Sequence, residues 1–378
     1  MLHYRYKEHD VIFTLPLQGK PLYLVGTFSN WQKQAAFKFE KVESGYVLKK
    51  SRNDLNKIGN SGYIEYCLWG EDDSQPLPFI KDYPVGYFFN SQSFDCQGNG
   101  GCNYLLLPEN INQAELEQIG KDSERSLTIK KTSAEFSSEH TLANFRQVTG
   151  GDLAAGVLFR SYHPVIPSRS EHPLLSDIEA QRQQTAMRLL EEHHVRTVIN
   201  LSETSEELTN FLRLAPLSYY KALWSEGQVK HAPMAYETVY FMSDRDESFN
   251  ADELGFQTGI QTIIRHIASS PGPYHVHCRL GSDRTGVVVA FLQLLMGAGK
   301  AEVEQNYLRT NEMAIGEFRS FRLLEQALYR ALGEGCFEAG SLEAGSFGGR
   351  SVVKDYLQRL GLPCSIIDRA CQHLSCNE

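Results

Sequence analysis

The apolar residues of this chain change their spacing once, near residue 140, and that change limits the folds open to it. Before residue 107 they form short runs, DVIFTLPL, PLYLVGTF, FKFEKV, GYVLKK, GYIEYCLWG and GCNYLLL. These runs are rich in aromatic and β-branched residues and are parted by Gly, Asn and Asp, the pattern of short antiparallel strands. An all-β sandwich over residues 1–107 is the expected packing. From about residue 141 strands and helices alternate, which predicts an α/β layer architecture over 141–378. The polar, charged segment 108–140, beginning ENINQAELEQ, reads as a linker with room for one short helix. A length of 378 residues agrees with two domains, because single cores rarely grow past roughly 250–300 residues.

Within the second part, RTVINLS (196–202) is expected as a buried strand. Ser176 and Glu179 have capping-box spacing ahead of an apolar face of Ile178, Ala186, Leu189 and Leu190. A second helix is predicted from about Ala251 to Ala268, with Phe256, Ile260, Ile263, Ile264 and Ile267 at core positions. The glycine-rich stretch 333–351 reads as a loop or hairpin, followed by two short amphipathic helices joined at Gly361 and Pro363.

Composition narrows the function classes. A formal charge of −9 argues against a nucleic-acid partner, since such proteins usually carry a basic face. No apolar run reaches the length of a membrane span, and MLHYRYKEHDVIF lacks the apolar core of a cleavable signal. The expectation is a cytoplasmic protein, or one delivered by a route without a cleavable signal peptide. The eight cysteines include no CxxC pair and no zinc spacing, so no metal and no other cofactor is expected. Cys96 and Cys102 are spaced to close a small loop in an oxidising compartment.

The most informative segment is YHVHCRLGSDRTGVVVAFL, residues 274–292. YHVHC is β-prone, and TGVVVAFLQLLMG is apolar enough for a buried helix, so the five residues between Cys278 and Arg284 turn a strand into a helix. Such a turn aims consecutive backbone N–H groups and the positive end of a helix dipole at one point. A thiol there is stabilised as thiolate, the reactive form. Arg284 lies far enough along to fold back and offer a planar fork to phosphate oxygens, which lysine cannot match. Thr285 is placed to donate to the cysteine sulfur, Gly281 to permit the tight turn, and Gly286 to permit close helix packing. His277 is expected to orient the loop. Asp283 is expected to buttress it or to tune a proton transfer.

HCRLGSDRTG resembles the HC-x5-R-[ST] signature of the cysteine-based protein tyrosine phosphatase superfamily. NFRQVTGG (144–151) and GVLFRS (156–161) resemble segments of its bacterial-type tyrosine and dual-specificity branch. Asn200, Leu201 and Ser202 stand where that branch usually has Asp-Leu-Arg, and Ser282 stands where many relatives carry lysine. The resemblance implies a tyrosine-phosphatase-like α/β domain and hydrolysis of phosphomonoesters through a cysteinyl phosphate. Cys278 would be the nucleophile and Arg284 the clamp, with His277, Arg279, Leu280, Gly281, Ser282, Asp283 and Gly286 forming the phosphate loop. It also implies a carboxylic acid from a separate loop, to protonate the leaving oxygen. In TVYFMSDRDESFNADEL, Asp244 holds that position and Asp246 is the alternate. Arg160, in LFRSYHP, is a candidate for the substrate face.

The implied substrate is a phosphorylated protein, on tyrosine or with dual specificity. Inositol phosphates or phosphoinositides are the alternative, suggested by Arg279. PLYLVGTFSNWQ (21–32) resembles the start of glycogen- and starch-binding modules, which implies an immunoglobulin-like sandwich. It also makes Trp31 and Trp69 candidates for stacking on a glucan, and a phosphorylated glucan a third substrate. A non-catalytic phospho-ligand or carbohydrate-binding module would be expected to lack the cysteine, the arginine or the acid. This chain keeps all three.

Overall fold

The computed structural model describes residues 2–16, 22–80, 82–92, 100–169, 175–235, 255–337 and 348–376. It divides into two compact units, one of Met1–Ile129 with Ala314–Leu323, the other of Lys130–Met313 with Leu324–Glu378.

The first unit holds eight described strands: β1 (Tyr4–Lys7), β2 (Asp10–Leu15), β3 (Leu22–Gly26), β4 (Glu40–Val42), β5 (Gly45–Ser51), β6 (Ile64–Gly70), β7 (Phe88–Gln92) and β8 (Gly100–Leu106). They form two four-stranded antiparallel sheets, ordered β1-β2-β5-β4 and β3-β6-β8-β7. In β2, buried Val11, Phe13 and Leu15 alternate with residues more open to solvent, as the period of a half-buried strand requires. Phe13 and Leu48 from one sheet share a single core with Leu24, Tyr66 and Tyr104 from the other.

The segment 108–129, read from the sequence as linker, belongs to this unit. Its helix Gln113–Arg125 starts in a capping box of Asn112 and Glu115. The helix is tied to β7 through Ser123 Oγ, which accepts from Asn90 N (2.8 Å), and through Ser126 just beyond its end, whose Oγ donates to Asn90 O (2.7 Å). Two serines thus reinforce the packing of Ile119 and Leu116, which join a cluster with Phe89, Leu105 and Leu107.

The second unit is built on a five-stranded sheet of β9 (Arg146–Gln147), β10 (Leu158–Ser161), β11 (Thr197–Asn200), β12 (Val229–His231) and β13 (Tyr274–His277), ordered β12-β11-β13-β10-β9. All but the edge strand β9 run parallel. Helix Phe256–Ser269 buries Phe256, Ile260, Ile263, Ile264 and Ile267 completely, as the spacing predicts. Helix Asp283–Leu295 is buried all round, which makes it the central helix of this unit.

Helix Ser176–Glu192 also buries its predicted face, but its start differs from the expectation. Leu175 is the N-cap, and no side chain caps the helix. Glu179 is buried and accepts a hydrogen bond from the Tyr162 hydroxyl (2.8 Å), so tertiary contact overrides the local capping box. Helices Gly348–Arg359 and Cys364–Ser375 meet at Gly361, whose φ of +88° suits glycine, and Pro363 is the N-cap of the second. Cys96 and most of the glycine-rich stretch, 338–347, lie outside the described residues. Among the described residues no helix is long and apolar enough to cross a membrane.

Candidate active site

Parallel pairing brings three strand ends to one level. His277 at the end of β13 is in register with Ser161 of β10 on one side and Asn200 of β11 on the other. The segments that follow these residues therefore share the carboxyl edge of the sheet, where open α/β folds place their ligands. The middle one is Cys278–Ser282, and it runs directly into helix Asp283–Leu295.

The loop is held by its carbonyl groups. Asn144 Nδ2 donates to Leu280 O and Gly281 O, both at 3.1 Å. Arg160 Nη2 donates to Gly281 O (2.6 Å) and Ser282 O (3.4 Å), and His163 N donates to Arg279 O (3.2 Å). A trans peptide sets its C=O and N–H on opposite sides. With the carbonyls of residues 279–282 drawn toward these anchors, the N–H groups of the same peptides turn the other way. Among the described residues the N–H groups of Leu280, Gly281 and Ser282 donate to nothing. Consecutive unpaired N–H groups at the start of a thirteen-residue helix make an anion-binding concavity.

The glycines fit their expected parts. Gly281 has φ +69°, and a Cβ there would lie 2.0 Å from the carbonyl oxygen of Ser161. A Cβ on Gly286 would come within 2.8 Å of the Tyr307 ring.

Cys278 is buried at the mouth of this turn. Arg284 folds back as expected, its Nη1 donating to Leu201 O (3.2 Å) and Met234 O (3.1 Å). Its Nε and Nη2 have no hydrogen-bond partner among the described residues, so one edge of the fork is anchored and the other is open. The Thr285 and Ser282 hydroxyls are buried without a partner, so the expected bond from Thr285 to the cysteine sulfur is not formed. Asp283 is buried and Leu280 is partly buried.

The His277 ring lies wholly inside, paired with the Tyr220 hydroxyl at 2.9 Å, and burial pushes its pKa well below the ordinary histidine range. It is a neutral brace, in line with an orienting part.

Arg160 requires a correction. It is completely buried and binds the carbonyl side of the loop, so it does not reach the substrate face. Its Nη1 also donates to Asn306 Oδ1 (2.9 Å). The neighbouring Arg146 donates to Asn144 Oδ1 (2.5 Å) and Asn306 O (2.7 Å). Burial and the nearby Arg160 and Arg309 charges push Arg146 well below the usual arginine range. Asn144, Arg146 and Asn306 thus form a brace that the sequence did not single out. Asn144 and Arg146 stand in NFRQVTGG, but nothing in that string says which backbone they hold. Asp244 and Asp246, the two candidate acids, lie outside the described residues.

A second cluster adjoins the loop. Glu203, buried just past β11, pairs through Oε2 with His163 Nε2 (2.9 Å) and through Oε1 with Arg279 Nε (2.8 Å). In the first unit, Trp31 is 43% exposed with φ +59°. Trp69 is partly buried, and Lys33 Nζ sits 5.3 Å from its ring centroid, which closes that face to a sugar.

Comparison with known proteins identifies the family. Residues 140–339, more than half of the chain, match the tyrosine phosphatase family. The solved core catalytic domain of the PP-IP phosphatase SIW14 from S. cerevisiae, in complex with citrate, is similar over 49% of this chain and 85% of its own, at 17% identity and a TM-score of 0.28. No curated protein matches. The protein belongs to the tyrosine phosphatase family and is a cysteine-based phosphatase.

Proposed function

We propose that the enzyme hydrolyses phosphomonoesters at the turn 278–284, with residues 141–378 carrying the activity. The observation that carries the reading is the set of N–H groups at 280–282 without a partner among the described residues, in the same turn as Cys278 and an Arg284 whose Nε and Nη2 also have none. The Cys278 thiolate attacks phosphorus, the P–O bond to the leaving group breaks, and an acid, Asp244 or its alternate Asp246, protonates the departing oxygen. Water deprotonated by the same carboxylate then attacks phosphorus, the S–P bond breaks, and phosphate leaves with the thiolate restored. The loop amides and Arg284 stabilise the charge on the three equatorial oxygens in both steps. The Thr285 hydroxyl, which has no partner in the resting site, is left to donate to the sulfur as the thiolate leaves.

A phosphorylated protein, on tyrosine or with dual specificity, is the substrate implied by family. Inositol phosphates are the second reading, favoured by Arg279 at the loop. In the first unit, two antiparallel sheets around one core support an immunoglobulin-like reading.

Phosphate release by the wild type and Cys278→Ser, with chelator present, tests the mechanism across a phosphotyrosine peptide, a phosphoserine peptide, inositol phosphates and phosphorylated starch. Release that depends on Cys278 is expected. Equal release by Cys278→Ser refutes it.

A further inference from the structure

The Glu203 cluster does more than brace the fold. Two backbone N–H groups, from Val165 and Ile166, donate to His163 Nδ1 at 3.0 Å. Nδ1 is therefore an acceptor, the ring proton is on Nε2, and Nε2 donates to Glu203 Oε2. The backbone N–H groups of Ser202 and Glu203 are themselves held by Asn200 Oδ1, at 2.8 and 3.3 Å. Burial acts to raise the Glu203 pKa, but His163, Arg279 and Asn200 outweigh it and leave the carboxyl below the ordinary range.

Glu203 is thus a fixed, buried anion, and its charge is met by Arg279, whose side chain is 44% exposed. A buried carboxylate deprived of its partner is strongly unfavourable, so the pairing fixes where Arg279 stands. The contact is an ion pair made through Nε, and among the described residues Oε1 accepts no hydrogen bond. The two terminal nitrogens of Arg279 have no partner among the described residues. Arg279 directly follows Cys278, so the chain offers two guanidinium forks at one anion loop. Arg284 serves the first anion, and Arg279 stands ready for another.

We infer that Arg279, positioned by Glu203, binds a second anionic group carried close to the phosphate that is cleaved, so that small molecules with neighbouring phosphates are the preferred substrates. The inference rests on the phosphomonoester reading above and names the substrate within it. A polyol with phosphates on adjacent carbons carries two such anions on one small scaffold. In a phosphotyrosyl peptide the aromatic ring holds flanking carboxylates away from the phosphorus.

The test compares kcat and KM for p-nitrophenyl phosphate, an inositol polyphosphate with vicinal phosphates, and a phosphotyrosine peptide with flanking aspartates. Wild type, Arg279→Ala, Arg279→Lys and Glu203→Gln are assayed together. The quantity read is kcat/KM on the polyphosphate divided by kcat/KM on p-nitrophenyl phosphate. Arg279→Ala is expected to lower this ratio by about 10- to 100-fold, the worth of a charge-assisted hydrogen-bonded pair, mostly through KM. Arg279→Lys keeps the charge but has no Nε to be held. Glu203→Gln still accepts from His163 but no longer fixes the arginine. Both are expected to lie between Arg279→Ala and wild type, with thermal melting confirming that each is folded.

A ratio for Arg279→Ala within about twofold of wild type overturns the inference, since that is below 0.5 kcal/mol. So does a selective loss on the acidic peptide alone, which would assign Arg279 to peptide recognition. If the folded wild type releases phosphate from none of the three, the failure lies in the phosphomonoester reading itself.

Discussion

Replacing Gly281 with alanine tests how far the anion loop depends on one missing side chain. The new Cβ would lie 2.0 Å from the Ser161 carbonyl oxygen, whereas ordinary contact begins at 3.4 Å. One of the two backbones must therefore move by about 1.4 Å, the difference between those distances. Ser161 is pinned in the sheet by its pairing with His277, so the loop is the part that yields. The left-handed φ of +69° adds roughly 1–2 kcal/mol of strain for a residue with a Cβ. A displacement of this size at a catalytic centre costs on the order of 100-fold, or about 2.7 kcal/mol of transition-state stabilisation. Steady-state kinetics on p-nitrophenyl phosphate, with vanadate inhibition as a measure of loop geometry, should show kcat/KM and vanadate affinity falling together by at least about 100-fold. Thermal melting of the variant should fall by a few degrees, at roughly 2–4 °C per kcal/mol. A variant with kcat/KM within about fivefold of wild type would refute the claim that the loop is held where the structure puts it.

Other variants probe the anchors and the charges. Asn144→Ala removes two bonds to loop carbonyls, worth about 0.5–1.5 kcal/mol each, and should lower kcat/KM by about 10- to 100-fold. Asn144→Asp should be worse, because a carboxylate repels the same carbonyls while still pairing with Arg146; recovery by aspartate would contradict the anchoring role. Arg284→Lys replaces an open fork by a point charge and should cost about 100- to 1000-fold in kcat, with the melting temperature changed little; retained kcat would count against the clamp. Burial lowers the pKa of His275 to about 3 and that of His277 well below its ordinary value, so the unfolded chain binds more protons than the folded one below pH 6.5. Stability conferred by the neutral rings is full above pH 6.5 and should drop, as pH falls from 6.5 to 5, by about 1.4 kcal/mol per unit per histidine. Denaturant melts over that window should show a shallower slope in His275→Asn, and an equal slope would argue against a neutral buried His275.

Much of the site was legible because its chemistry is contiguous. Cys278, Gly281, Arg284 and Gly286 lie within one turn, and the strand before it and the helix after it announce themselves by apolar runs. The anchors were not legible, because Asn144, Arg160 with His163, Glu203 and Asn306 come from four separate segments that only the fold brings together. Arg160 shows the limit well: a charged residue at a strand end suggests a surface role, yet the residue is spent inside, on the carbonyls of the loop. The strands of the first part were mostly visible from their aromatic runs. β1 and β7 were missed, since YRYK and FFNSQ offer few β-branched residues to mark them. A short helix at 113–125 was allowed by the sequence, but its attachment to β7 was not legible, because it runs through two serine hydroxyls and a single buried Ile119.

The helix that begins at Asp283 is buried on nearly every side, so the turn 278–282 caps a deeply embedded helix of its unit. Occupying the cap and holding the unit folded are then one equilibrium. An anion bound there, the reaction product included, stabilises the unit by RT ln(1 + [L]/Kd), about 2.7 kcal/mol at a hundredfold excess over Kd. On the proposed reading, inorganic phosphate should both inhibit turnover and protect the enzyme from heat, with one dissociation constant for the two effects.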